Sequence, residues 1–274
     1  MLGTSLTHIN TDDRGKVLSL DLSILSEAQT LAITDLVICT GPWTSSVLHH
    51  TLDTDSPLRQ LPFFDAAAEV KGSRAHSVIV RGLDIGPHAL FTTTTYRGPR
   101  GCTKEGSPEF YCRPDDTTYI CGDTDGEDLP AMVDEVEPSE RQISRLLEQA
   151  GSIAPALLDK GTKILARQAC FLPMSKNSGR PILRFDSATG FGVAAGHSCW
   201  GITLSLGTGQ VMAELILEGQ ARSADISLLG GLHEGSSEEE EAAAPTTAAA
   251  ADPAAGTTAP KEAKPPVQSA TKRG

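Results

Sequence analysis

Positive charge is scarce in this sequence. Of its 274 residues, 23 are Lys or Arg and 35 are Asp or Glu, giving a formal net charge of -12. Residues 234–274 hold seven acids and four bases, so the tail supplies -3 and the body -9. No run of Lys or Arg occurs, which argues against nucleic acid or an anionic membrane as the main partner. The start, MLGTSLTHINTDD, lacks a basic segment followed by an apolar run. A signal peptide is therefore not expected, and the protein is expected in the cytoplasm. There is no CxxC and no zinc-ligand spacing among Cys39, Cys102, Cys112, Cys121, Cys170 and Cys199. The expectation is reduced thiols held mostly in the core, with no metal. The longest uncharged stretch, Ser187 to Ala213, is long enough to cross a bilayer but contains six Gly and a His. It reads as a buried strand and turn leading into a helix, with no membrane span.

A chain of this length with 39% apolar residues can build one large or two small domains. Residues 1–50 read as a β-meander. TSLTHIN and VLSLDLS alternate around the turn DDRG, and the apolar run ITDLVICTG predicts a central strand buried on both faces. Pro42 and Trp43 end that strand. HSVIVRG and HALFTTTTYRG read as strands, and PEFYCRP with TTYICGD reads as a hairpin turning at Asp115-Asp116. Residues 138–158 predict an amphipathic helix with Ser139 as N-cap and Ile143, Leu146 and Leu147 on one face. TKILARQACFLPM, RPILRFD and FGVAAG follow as strands. A last helix is expected to begin after Gly207 and stop at Gly219. Asp123, Asp125, Glu127 and Asp128 read as a solvated acidic turn without a calcium-loop pattern. From about Glu234 the chain is Ala, Pro, Thr and Glu without periodicity, a composition that predicts disorder.

Three glycine-rich segments bear on chemistry. In Gly190-Phe-Gly192-Val-Ala-Ala-Gly196 the glycines flank a strand, so a dinucleotide fingerprint is not supported. GHSCWG, Gly196 to Gly201, is one residue longer than the nucleophile elbow that would make Ser198 a hydrolase nucleophile. Gly201 to Gln210 runs into the last helix, and a helix start offers free N–H groups and a positive dipole end.

Four segments, in this order, resemble one family. ITDLVICTGPWTSSVL resembles the strand and turn "AD-x-VV-x-A-x-G-x-W". FYCRPDDTTYICGDTDG resembles a substrate-domain hairpin. QACFLPMSKNSGRPIL resembles the strand pair that follows it. GFGVAAGHSCWGITLSLGTGQVMAELILEG resembles the closing strand, GHxxxGI turn and helix. The family is that of the FAD-dependent oxidoreductases that include D-amino acid, glycine and sarcosine oxidases. GHSCWGI points to its fungal oxidoreductase branch, and the resemblance covers roughly residues 1–229.

The resemblance implies an α/β fold: a partial FAD/NAD(P)-binding, Rossmann-like domain with an inserted mixed β-sheet plus helix substrate domain. Residues 1–60 would be the FAD-domain remnant, 61–165 the substrate domain, 166–232 the C-terminal FAD-domain segment and 233–274 a disordered tail. The family's opening strand–GxGxxG–helix does not occur in this sequence, so a shortened form is expected. The implied cofactor is FAD, and the implied reaction is C–N oxidation of a small amine or amino-acid-like substrate, with hydride passing to the flavin. Gly41 and Trp43 would approach the cofactor. Gly196, His197, Gly201 and Ile202 would lie along the flavin edge, and Gly207, Thr208 and Gly209 would open the helix that faces it. Arg113, with Arg97 and Arg184 as rivals, would clamp a substrate carboxylate. Cys170 stands near a position where relatives attach flavin covalently, but it reads as an ordinary thiol. A non-catalytic derivative, acting as an interaction module through its acidic tail, is the alternative expectation.

Overall fold

The computed structural model describes residues 3–83, 85–98, 101–159, 161–176 and 179–229. The tail expected to be disordered, and His233 with it, lie outside the described residues.

Alternation sets the first sheet. β1 (Thr4–Thr11), β2 (Val17–Ile24) and β3 (Glu27–Ala32) form an antiparallel meander in the order β1-β2-β3. The Asp12 carboxylate accepts the Arg14 and Lys16 N–H groups, each at 2.9 Å, and closes the first turn. Ile9 and Val17 point inward. β4 (Leu36–Ile38) follows, then a 3-10 turn over Gly41–Trp43, α1 (Thr44–Thr51) and α2 (Phe64–Ala68). A long antiparallel region comes next: β5 (Lys71–Arg81), β6 (Ala89–Phe91), β7 (Thr94–Arg97), β8 (Thr103–Gly106), β9 (Glu109–Cys112) and β10 (Thr117–Asp125). The chain continues through α3 (Glu140–Ile153), β11 (Lys163–Met174), β12 (Ile182–Asp186), β13 (Phe191–Ala195) and α4 (Gly201–Glu218).

β11-β5-β10-β9-β6 make a five-stranded sheet in which every pairing is antiparallel. β12-β13-β4 make a small sheet in which β13 pairs antiparallel with β12 and parallel with β4. Parallel and antiparallel pairing therefore meet in the small sheet rather than in the inserted sheet, where the sequence placed them. The run HALFTTTTYRG splits into β6 and β7. β4 is shorter and less covered than its apolar run predicts. Only Ile38 is fully buried, and among the described residues β4 ends its sheet. β13 is the strand buried along its whole length.

Two large apolar clusters result. One joins Ile9, Val17, Ile38, Leu48, Leu58 and Phe64 to Ile182, Phe191 and Val193. The other packs α3 through Ile143, Leu146 and Ala150 against Val78, Val80, Phe110 and Ile120 of the five-stranded sheet. Each of these large side chains, removed from water, stabilises the fold by roughly 1.5–3 kcal/mol. Ser139 holds the N-cap position of α3, but its side chain makes no capping bond. Its backbone N–H instead donates to Nε2 of the buried His76 at 3.1 Å, which fixes the helix head to β5. None of the cysteines is fully buried: Cys39, Cys102, Cys170 and Cys199 are exposed, and Cys112 and Cys121 half-buried, all as free thiols. The core positions expected for them are filled by aliphatic and phenyl side chains. No described helix is long and apolar enough to cross a membrane.

Candidate functional site

β4 and β13 run parallel and side by side, so the turns at their carboxyl ends are neighbours. Ligands of open α/β sheets bind in the crevice outside such strand ends. Both turns use glycine in the left-handed region, Gly41 at φ +56° and Gly196 at φ +76°. A side chain would be strained at either place. A Cβ on Gly41 would meet nothing within 4 Å, so the backbone there borders open space. The Gly41 carbonyl accepts the Thr44 hydroxyl at 2.7 Å, and Trp43 Nε1 donates to the Pro130 carbonyl at 2.8 Å. The half-buried indole thus ties the first turn to the segment after β10. Cys39 sits just before it, exposed as a residue, and partial desolvation of its sulfur pushes the thiol above the usual range.

The second turn continues through His197 and a 3-10 turn over Ser198–Trp200 into α4. Met174, the last residue of β11, forms a β-bridge with His197, so the long edge strand of the large sheet ends at this turn. Ser198 has φ +52°, a conformation that costs a non-glycine residue on the order of 1–3 kcal/mol. Among the described residues no histidine or carboxylate bonds its hydroxyl, so the hydrolase arrangement is absent there.

α4 begins at Gly201, not after Gly207 as the sequence suggested. Gly207, Thr208 and Gly209 lie inside the helix. The helical backbone runs unbroken through them to Glu218, and each interior glycine costs only about 0.5–1 kcal/mol relative to Ala. Gly219, at φ +74°, ends the helix as expected. The Thr208 hydroxyl lies 2.9 Å from His197 Nε2, so the two segments suspected of forming one site do meet. Burial holds the His197 ring below the ordinary histidine range and favours its neutral form. The free N–H groups and positive dipole end of α4 fall at Gly201, with no acidic residue in the first turn.

The five-stranded sheet adds a feature that sequence reasoning missed. Directly opposed residues of an antiparallel ladder share a face. Phe91 faces Glu109, Glu109 faces Cys121, and Cys121 faces Ser77; Tyr111 faces Tyr119. Phe110, Ile120 and Val78 occupy the opposite, α3-covered face. Tyr111 donates to Glu109 Oε2 at 2.6 Å, and the Cys121 thiol donates to the same oxygen at 3.7 Å. Burial, then Glu109, raises the Tyr111 hydroxyl far above its usual range and pushes the Cys121 thiol up to about 12. The Arg113 guanidinium lies 5.3 Å from the centre of the Tyr119 ring, on the same side as this cluster. The signal was present in the hairpin: Glu109, Tyr111 and Arg113 alternate with the apolar Phe110.

The rival candidates go elsewhere. Arg184 donates to the carbonyls of Leu183, Ile226 and Leu229, and fastens the segment after α4 to β12. Arg97 lies on β7, outside the large sheet. Cys170 is on β11, exposed as a residue, and partial desolvation of its sulfur raises the thiol. The acidic turn is not simply solvated. Asp123 and Asp125 belong to β10 and pair with Arg145 at 3.1 Å and Arg74 at 2.9 Å.

Residues 1–215 match the family described as FAD dependent oxidoreductase. A Schizosaccharomyces pombe protein named as a putative oxidoreductase is 32% identical over 209 residues, covering 75% of this chain and 47% of that protein. A Saccharomyces cerevisiae protein named in the same way is 33% identical over 202 residues, covering 72% of this chain and 34% of that protein. The chain therefore spans about half, or less, of the length of these curated relatives. Among solved structures, glycine oxidase from Bacillus cereus superposes with a TM-score of 0.61 at 21% identity, covering 86% of this chain and 54% of that one.

Proposed function

Because the chain belongs to the FAD-dependent oxidoreductase family, we propose that its crevice receives the isoalloxazine end of FAD and serves C–N oxidation of a small amine or amino-acid-like substrate. The observation that carries this reading is the side-by-side placement of two glycine turns at the carboxyl ends of parallel β4 and β13. The residues present fit a flat ring: Gly41 opens on free space, and the acid-free start of α4 offers N–H groups to an electron-rich edge.

In this reading Gly41 and Trp43 form one wall, and Gly196, His197, Gly201 and Ile202 form the other. Thr208 acts through His197, holding the imidazole by the 2.9 Å contact. When bound, the flavin supplies the hydride acceptor, a chemistry that no side chain of this chain provides. The dipole at Gly201 favours negative charge beside it, and neutral His197 adds no competing positive charge. Residues 1–60 and 166–232 would make most of the cofactor part and 61–165 most of the substrate part, except that α2 packs in the first apolar cluster and β11 pairs with β5. The apolar cluster joining Ile9 and Ile38 to Phe191 and Val193 supports that pairing of distant segments. Arg113 would meet an anionic group of the substrate.

The test is an absorption spectrum of the full chain after incubation with FAD and gel filtration. Retained flavin bands that bleach on adding an amine under exclusion of air are expected. A protein that emerges colourless overturns the proposal.

A further inference from the structure

On the face of the five-stranded sheet away from α3 a half-buried carboxylate has no matching cation among the described residues, and we propose that Glu109 anchors a cationic nitrogen of the ligand. The inference rests on the reading of the chain as an amine oxidoreductase and narrows what its sheet presents to a substrate. Other carboxylates of this sheet region are matched: Asp125 by Arg74 and Asp123 by Arg145. Glu109 is half-buried on β9, yet among the described residues no Lys, Arg or His pairs with it. Its two partners, the Tyr111 hydroxyl and the Cys121 thiol, both converge on Oε2. Both are neutral donors, and a phenol or thiol carries no positive charge in either protonation state, so the carboxylate's charge is left unmatched. Among the described residues no donor reaches Oε1. A partly desolvated carboxylate left in this condition gains most from a cationic donor.

The surroundings suit an organic cation rather than a bare metal ion. Phe91 and Tyr111 meet edge to face at 5.7 Å, and Tyr111 and Tyr119 lie 6.0 Å apart. Phe91 is 69% exposed, so its ring is available to a ligand. Two of the chain's three tyrosines stand here, and the rings offer negative faces to an alkylammonium group, while one carboxylate is a poor site for a hard cation. Along β9 and just past its end the same side carries Glu109, Tyr111 and then Arg113. Glu109 and Arg113 are four residues apart in sequence, and the Arg113 guanidinium lies over Tyr119, 5.3 Å from its ring centre. Nitrogen recognition at Glu109 uses a different side chain from the carboxylate contact proposed for Arg113, so an amine without a carboxylate satisfies it.

The full chain is titrated with benzylamine, and with benzyl alcohol as the neutral analogue, by calorimetry, with and without FAD. We expect benzylamine to bind the wild type at least tenfold more tightly than the alcohol. Glu109→Gln is expected to lose that preference, about tenfold, through loss of a charge-assisted hydrogen bond, and Glu109→Asp to recover part of it. Phe91→Ala, at an exposed position that cannot unfold the core, is expected to weaken benzylamine about two- to fivefold and leave the alcohol unchanged. Equal binding of amine and alcohol by the wild type overturns the inference, as does an unchanged preference in both Glu109→Gln and Phe91→Ala. Retained flavin beside either of those results leaves the oxidoreductase reading standing. Amine preference in a chain that never retains FAD overturns that reading alone.

Discussion

α3 and α4 are the two long helices of the described residues, and they use apolar side chains in opposite ways. In α3 the apolar positions Ile143, Leu146 and Ala150 are buried against the sheet, while the charged ones face out. α4 is the more apolar helix, yet its first half carries Ile202 at 93% and Leu206 at 87% exposure. Only Val211, Met212 and the carboxylate Glu214 in its second half are fully buried. In α3 apolar content and packing agree. In α4 they agree only along Val211, Met212 and half-buried Leu215, which pack with Leu183 and Ala194, while Leu217 is again exposed.

The largest expected effect tests that contrast directly. Phe110→Ala, beneath α3, is expected to cost about 3–5 kcal/mol, whereas Leu206→Ala on α4 should change stability by less than about 0.5 kcal/mol. Urea unfolding of both variants measures this. A large loss from Leu206→Ala would show that the first half of α4 is packed in solution and would end the contrast.

Acid should affect both helices. The head of α3 hangs on His76, which accepts the Ser139 N–H, and the middle of α4 on His197. Burial lowers both histidines below their ordinary value of 6.5; for His76, Asp125 opposes and Arg74 assists that shift. A group whose folded value is lowered contributes stability that is present above 6.5 and lost as pH falls below it. Thermal melts from pH 8 to pH 5 should show falling stability below pH 6.5, with a shallower fall in His76→Gln. An unchanged slope in that variant would remove His76 from the account.

Glu214 adds a step at lower pH. Gln210 and the backbone N–H groups of Arg222 and Ser223 hold its carboxyl at about 2. Its contribution is present above the ordinary value of 4.5 and lost between there and about pH 2. Glu214→Gln should flatten that acid limb in a pH-dependent melt.

The smallest expected effect sharpens where α4 starts. Gly207→Ala and Gly209→Ala, in the absence of FAD, should each stabilise the chain by about 0.5–1 kcal/mol, since both sites have open space and lie inside a helix. A helix beginning after Gly207 would give no gain at that position.

These elements also mark what the sequence could disclose. The hairpin of β9 and β10 was legible because Asp115 and Asp116 interrupt two alternating runs, and Asp116 does adopt φ +61°. α3 was legible from one apolar stripe. The start of α4 was not, because Gly207-Thr208-Gly209 looks like a break until the flanking turns supply the missing cooperativity. Ser139 was read as a side-chain cap because capping is local, while its true partner, His76, is 63 residues away. Within the candidate site, the glycine turns were visible as motifs. Their adjacency depends on the parallel pairing of strands more than 150 residues apart in sequence, such as Leu36 with Phe191. The Glu109 face needed a register across β6, β9, β10 and β5, which no single segment contains.

One feature of the backbone joins these sites. β11 pairs with β5 from Lys163 to Met174, and its last residue is stitched to His197. The strand thus behaves as a stiff ruler laid between the sheet and the crevice. Whatever sits above Cys170 is held at a fixed reach from the imidazole, and the chain can retune one end by changing side chains without resetting the gauge to the other.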